Sequence, residues 1–239
     1  MASRGPTPHA ELRERVFEAN RDLVRAGLVV LTFGNVSEVD RPGGVMAVKP
    51  SGVPYEELRP ESMSVVDIES GLPVDDGYRP SSDTPTHLVL YRRFGNVGGI
   101  AHTHSRFASA WAQAGRELPC LGTTHADHFH GPVPVTRRLT VAEIEGEYEV
   151  RTGDVVVEAL ERAQLDPLEM PAVLVASHGP FTWGHDAAHA VENAVALEAV
   201  AELALHTLAL RPELEPIEGD LLRRHFLRKH GPGAYYGQP

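Results

Sequence analysis

The chain has 239 residues, 42% of them hydrophobic and 23% charged, a formal net charge of -11 and one cysteine, Cys120. A chain of this length buries about 70–75% of its unfolded surface, so its core needs no disulfide, and a lone cysteine can form none internally. The acidic balance excludes the basic face that a nucleic-acid partner requires, no apolar run reads as a membrane span, and MASRGPTPHAELRERV carries no apolar leader, so a cytoplasmic protein is expected.

Residues 1–9 read as a loose arm. From Ala10, the positions Leu12, Val16, Ala19, Leu23 and Val24 recur at helical spacing until Gly27. Short β-rich pieces follow at Val29–Thr32, Val36–Val39, Val45–Lys49 and Met63–Ile68, punctuated by Gly and Pro. Thr84-Pro85 reads as a helix start, with Thr84 as N-cap, running to about Arg93. Gly99–His104 predicts a strand and Ser105–Ala114 a helix. Further helices are expected at 153–164, 187–210 and 220–229, with an apolar strand at Ala172–Ser177. Thr123–Asp127 shows no clean periodicity and reads as a loop. Strands first clustered and then interleaved with helices predict a central sheet flanked by helices, an α/β/α sandwich.

The 13 histidines are the unusual count. In a strand, residues two apart share a face, so His102 and His104 would point the same way, close enough to share an ion. His178, at the end of AVLVASH, is a third candidate. Three neutral imidazoles with an open position suit a catalytic zinc site. Asp83 supplies either a further carboxylate to such a site or a plain helix-start anion. A His-x-His strand alone reads equally as a half-exposed strand.

Asp127, beside His125, is either a proton-transfer group or a turn former. Tyr235-Tyr236 near the C-terminus suggests a docked tail, as a site component or a hydrophobic anchor. Gly34-Asn35, Lys49 with Ser51-Gly52, and Ser81-Ser82 could each cradle a phosphate, or each be a routine turn. Ser81-Ser82, directly before a helix start, is the best of the three. His225 and Arg228 on the last helix are further candidates for the substrate site, and a solvated helix face explains them equally well.

The ordered motifs GNVSEVD, KPSG, SSDTPTH, GGIAHTHSRFASAWAQAG, GTTHADHFHGPVPVTR, SHGPFTWG and LRKHGPGAYYGQ resemble the class II aldolase and adducin family from about residue 10 to the end. The resemblance implies a single catalytic domain over 10–239 with a mostly antiparallel central sheet. It implies zinc, or alternatively manganese, held by His102, His104 and His178 with Asp83 beside them, and Asp127 with Tyr236 as the acid/base pair. It places Gly34, Asn35, Ser51, Gly52, Ser81 and Ser82 in substrate- and phosphate-binding turns. A sugar-phosphate substrate follows, as does a fourfold homotetramer with sites shared between subunits. The implied reaction is a pentulose-phosphate epimerisation through C–C cleavage and re-formation. An aldolase of the L-fuculose-phosphate type is the alternative.

Overall fold

The computed structural model describes residues 9–235. The expected N-terminal arm, apart from His9, and Tyr236 lie outside the described residues. Six strands form one sheet in the order β3-β2-β1-β4-β6-β5, every neighbouring pair antiparallel. They are β1 (Asn35–Asp40), β2 (Val45–Val48), β3 (Ser64–Asp67), β4 (Gly99–His102), β5 (Ala172–Val175) and β6 (Gly179–Gly184). The helices are α1 (Ala10–Arg25), α2 (Thr84–Arg93), α3 (Arg106–Ala114), α4 (Thr123–Ala126), α5 (Val141–Glu145), α6 (Tyr148–Ala163), α7 (Ala187–Leu210) and α8 (Gly219–His230).

Period-2 alternation sorts the sheet into two faces. Val36, Val45, Ala47, Val65 and Ala101 point toward α1 and α7, where Leu12, Val16, Leu23 and Ala190 meet them. Met46, Val48, Val66 and Ile100 point to the other face, against Leu88, Leu90 and Tyr91 of α2 and Val156 and Leu160 of α6. That second core continues to Trp111 of α3 and Leu197 and Val200 of α7. Each fully buried Leu or Val there contributes about 1.5–3 kcal/mol. Gly153 lets α6 approach α2 closely, since a Cβ there would fall 2.6 Å from Val89 Cβ.

Several expectations need correction. Val29–Thr32 is a turn rather than a strand: Leu31 takes φ 54° and Phe33 N–H donates to the Val30 carbonyl. Asp83, not Thr84, is the N-cap residue of α2, and its side chain makes no capping bond. Thr123–Ala126 is a helical turn. The strand bearing His102 ends at that residue, so His104 lies just beyond it, and His178 follows a turn in which Ser177 takes φ 64°. α7 is long and apolar enough, by length and composition alone, to cross a membrane, a feature that a search for unbroken apolar runs passes over. Its buried side, with Ala190, Ala194, Leu197 and Ala201, packs into the core.

Candidate active site

Pairing of β1 with β4 sets Asn35 opposite His102, at the sheet end where the turn after β5 delivers His178. The imidazoles of His102, His104 and His178 face one another, with ring centroids 4.7–5.0 Å apart and one ring nitrogen from each within 4.8 Å of the others. His102 and His104 approach Nε2 to Nε2 at 3.1 Å. The buried His102 ring stacks on Phe181 at 4.2 Å, and its Nδ1 lies 2.9 Å from the Pro180 carbonyl. A carbonyl only accepts, so Nδ1 carries the proton and Nε2 presents its lone pair to the cluster.

Burial lowers the pKa of all three rings, opposed in each by Asp83, and takes His178 down to about 3. Buried His178 Nδ1 has no hydrogen-bond partner among the described residues. Three neutral imidazoles converging at this spacing, one with an orphaned nitrogen, fit a divalent cation and would hold it as nitrogen ligands. Asp83 belongs to the same corner. Burial works against its charge, but nearby His102 and His87 and a 2.6 Å hydrogen bond from Asn35 Nδ2 outweigh it and keep the carboxyl low.

Next to the histidines opens a cleft of about 400 Å³. It is lined by Thr32, Phe33, Gly34, Asn35, Lys49, Pro50, Ser51, Gly52, Ser81, Ser82, Asp83, His104 and His178. The two loops on its rim are laced together: Ser81 N–H donates to the Lys49 carbonyl at 3.0 Å and Ser51 N–H to the Arg79 carbonyl at 2.9 Å. Gly34 takes φ 91°, and a Cβ there would meet the His102 carbonyl oxygen at 2.8 Å, so only glycine brings this turn against the histidine strand. Lys49 is buried, with Nζ 3.0 Å from the Val53 carbonyl and 4.7 Å from the Tyr55 ring centre. No carboxylate pairs with it among the described residues, and burial lowers its pKa to about 8. A cation this poorly compensated favours an anion in the cleft.

The structure thus gathers Gly34, Asn35, Lys49, Ser51, Gly52, Ser81, Ser82, Asp83, His104 and His178 around one cleft, with His102 at the histidine cluster. It does not bring Asp127, His225 or Arg228 there. Those three form their own cluster between α4 and α8, where Arg228 and His225 both bind the Asp127 carboxylate.

Sequence reasoning missed a buried layer beneath the histidines. Ser37 Oγ lies 2.7 Å from His87 Nδ1 and 2.8 Å from Tyr91 Oη. His87 and Tyr91 sit one helical turn apart, a spacing that could have revealed them. Tyr148, with its ring centroid 6.3 Å from that of His178, was also passed over.

The buried histidines carry a pH signature. Burial takes His87 down to about 3 and His125 to about 4. An unfolded imidazole titrates near 6.5, so below that pH the unfolded chain binds protons that the folded chain refuses. Stability is therefore full above about pH 6.5 and falls as pH drops toward the folded values, by about 1.4 kcal/mol per pH unit for each such histidine. Urea unfolding between pH 7 and 5 checks this. A flat curve would contradict buried, neutral rings.

Residues 14–205 match the class II aldolase and adducin N-terminal domain. The chain is 53% identical over 228 residues to the L-ribulose-5-phosphate 4-epimerase UlaF of Salmonella paratyphi C (strain RKS4594), covering 95% of this chain and 99% of that protein. Among solved structures it resembles L-fuculose 1-phosphate aldolase from Glaciozyma antarctica PI12, with TM-score 0.74 and 20% identity over 93% of this chain and 85% of that one. It also resembles L-fuculose-1-phosphate aldolase from Thermus thermophilus, with TM-score 0.66 and 26% identity over 86% of this chain and 99% of that one.

Proposed function

Since the chain belongs to the class II aldolase and adducin family, we infer that it interconverts L-ribulose 5-phosphate and D-xylulose 5-phosphate by breaking and re-forming the C3–C4 bond. The observation that carries this reading is the cleft itself. Two imidazoles of the histidine cluster, His104 and His178, line it together with Lys49 and the Ser51-Gly52 and Ser81-Ser82 turns, in a chain whose nearly full-length relative is such an epimerase.

The C4 hydrogen is not acidic, because the C2 carbonyl is too far away to stabilise a carbanion at C4. The same carbonyl can stabilise the electron pair released when C3–C4 breaks. His102, His104 and His178 would hold zinc, or alternatively manganese, with Asp83 as a further ligand or a neighbour orienting one. Such an ion supplies Lewis acidity toward carbonyl and hydroxyl oxygens. Asn35, already hydrogen-bonded to Asp83 and to Ser81 Oγ at 3.2 Å, fixes the carboxylate beside the anion turns. Lys49 and the Ser51-Gly52 and Ser81-Ser82 turns bind the phosphate and place the sugar.

Inversion requires the aldehyde fragment to turn and be attacked on its other face, so proton transfer is needed on two sides. Asp127 and Tyr236 serve those two sides as the proton-transfer groups. Neither α4 nor α8 lines the cleft of its own chain among the described residues, and we read the enzyme as a ring-shaped homotetramer in which a neighbouring subunit supplies both groups.

The test is to incubate the purified protein with L-ribulose 5-phosphate and to assay D-xylulose 5-phosphate and free dihydroxyacetone separately. Epimer without accumulating dihydroxyacetone supports the reading. Net cleavage as the main reaction would instead mark an aldolase.

The phosphate assignment gives a further expectation. Ser82 is exposed in the cleft and makes no competing hydrogen bond among the described residues. Loss of its hydroxyl removes a bond to a charged group worth about 1.5–3 kcal/mol, felt equally in ground and transition states. Ser82→Ala is expected to raise KM about tenfold or more with kcat within about threefold. Steady-state kinetics decide it, and a fall in kcat with KM unmoved would remove Ser82 from the phosphate site.

A further inference from the structure

His102 and His104 stand on either side of a change in secondary structure. His102 ends β4 and is buried, whereas His104 is exposed and belongs to the step Thr103-His104-Ser105 between β4 and α3. Sheet pairing therefore fixes His102 but stops short of His104, whose ring meets Phe33 at 5.8 Å and the other two imidazoles of the cluster. The step is fastened from the far side of the chain. A helix start exposes N–H groups that have no partner within the helix, and the N-cap side chain ordinarily takes one of them. Ser105 is the N-cap residue of α3 yet makes no such bond. Its hydroxyl donates instead to Glu198 Oε2 at 2.7 Å. The same carboxylate caps the helix: Phe107 N–H donates to Oε1 and Ala108 N–H to Oε2, both at 2.9 Å. A negative charge at this end of α3 also suits the helix dipole.

Glu198 belongs to α7, and α7 is anchored to the strand that holds His102. Asn193 Nδ2 donates to the Trp183 carbonyl at 2.8 Å and Thr182 Oγ1 to the Ala190 carbonyl at 2.9 Å, which ties the helix to β6. β6 supplies Pro180 and Phe181, the two residues that anchor the His102 ring. One turn beyond the cap, Trp111 Nε1 donates to the Ala201 carbonyl at 3.0 Å, a second tie between α3 and α7. One helix thus references both imidazoles, His102 through β6 and His104 through Glu198.

We propose that Glu198 is a positioning residue for the cation site, holding His104 at the spacing from His102 that a divalent ion requires. The proposal rests on reading His102, His104 and His178 as that site. Glu198 spends its carboxylate on Ser105, Phe107 and Ala108, so it acts through the chain and not as a ligand. Removing the support of a metal ligand commonly costs about 10–100-fold in metal affinity. A cap that only stabilised α3 would instead lower stability and leave affinity alone.

The test titrates zinc into the metal-stripped full-length protein against a chromophoric chelator, for the wild type, Glu198→Gln, Glu198→Ala and Trp111→Phe, with Tm measured on each. Glu198→Gln keeps the size of the side chain but loses the charge and turns one acceptor into a donor. Trp111→Phe cuts the second tie and leaves the cap, so it serves as the stability control. The expected result is a zinc Kd raised about 10–100-fold in Glu198→Gln and at least as far in Glu198→Ala, with Trp111→Phe within about threefold of the wild type despite a lower Tm. Glu198→Gln within about threefold of wild-type affinity would overturn the proposal, whether or not Glu198→Ala folds. So would an equal loss of affinity in Trp111→Phe, which would make overall stability the cause. A wild-type protein that binds no zinc overturns the reading of the histidines as a metal site and the proposal with it, whereas tight wild-type binding beside an unaffected Glu198→Gln defeats the proposal alone.

Discussion

His102→Asn is expected to leave a folded protein that no longer retains a divalent ion and has lost about 10³-fold or more of its kcat/KM. His102 is the best-anchored ring of the three, held by the Pro180 carbonyl at Nδ1 and by stacking on Phe181. Asparagine is shorter and cannot place a nitrogen where Nε2 now meets His104. Losing the stacking costs about 0.5–1.5 kcal/mol, which a typical domain stability of about 5–15 kcal/mol absorbs. Catalysis suffers far more, because stabilising the developing enediolate charge is usually the largest single contribution in such a site. Elemental analysis, circular dichroism and initial rates on the same preparation provide the check. Undiminished metal with activity within tenfold of wild type would show that His102 is not a ligand.

The second large effect is a recovery. His104→Asn and Asp127→Asn are each expected to be nearly inactive as homo-oligomers, the first through loss of metal and the second through loss of a proton-transfer group. The cleft with His104 and the cluster with Asp127 are separate in one chain. If a neighbour completes each site, subunits mixed at random in equal amounts pair an intact cleft with an intact Asp127 cluster at about one interface in four. Co-refolded mixtures should therefore regain about a quarter of wild-type activity. Mixtures that exchange subunits, as seen by mass spectrometry, yet stay as inactive as their parents would place the whole site within one chain.

Much of this architecture was legible in the sequence. The α7 helix shows in its Ala- and Leu-rich run, and the histidine pair in a strand motif. Other features resist pattern reading for physical reasons. All six residues of β6 are buried, so GPFTWG shows no alternation, and Gly and Pro disguise it as a turn. Yet Pro180 and Phe181 of that strand are what hold His102 in place. His104 reaches the cluster from beyond the end of β4, so the two-residue periodicity that singled it out is not what positions it. Asp83 was visible as a carboxylate at a helix start, but its restraint by Asn35 spans 48 positions and depends on the pairing of β1 with β4. His225 and Arg228 could be picked out as a histidine and an arginine one turn apart. Their common partner, about a hundred residues upstream, could not.

Epimerisation run in D₂O and followed by NMR tests the central claim most directly. If C4 is inverted by breaking and re-forming C3–C4, no C–H bond at C3 or C4 is ever broken. D-Xylulose 5-phosphate formed from L-ribulose 5-phosphate should then retain its original hydrogens at both carbons, with no dihydroxyacetone accumulating. Solvent deuterium appearing at C4 or C3 at the rate of product formation would contradict the account, as would the absence of epimer.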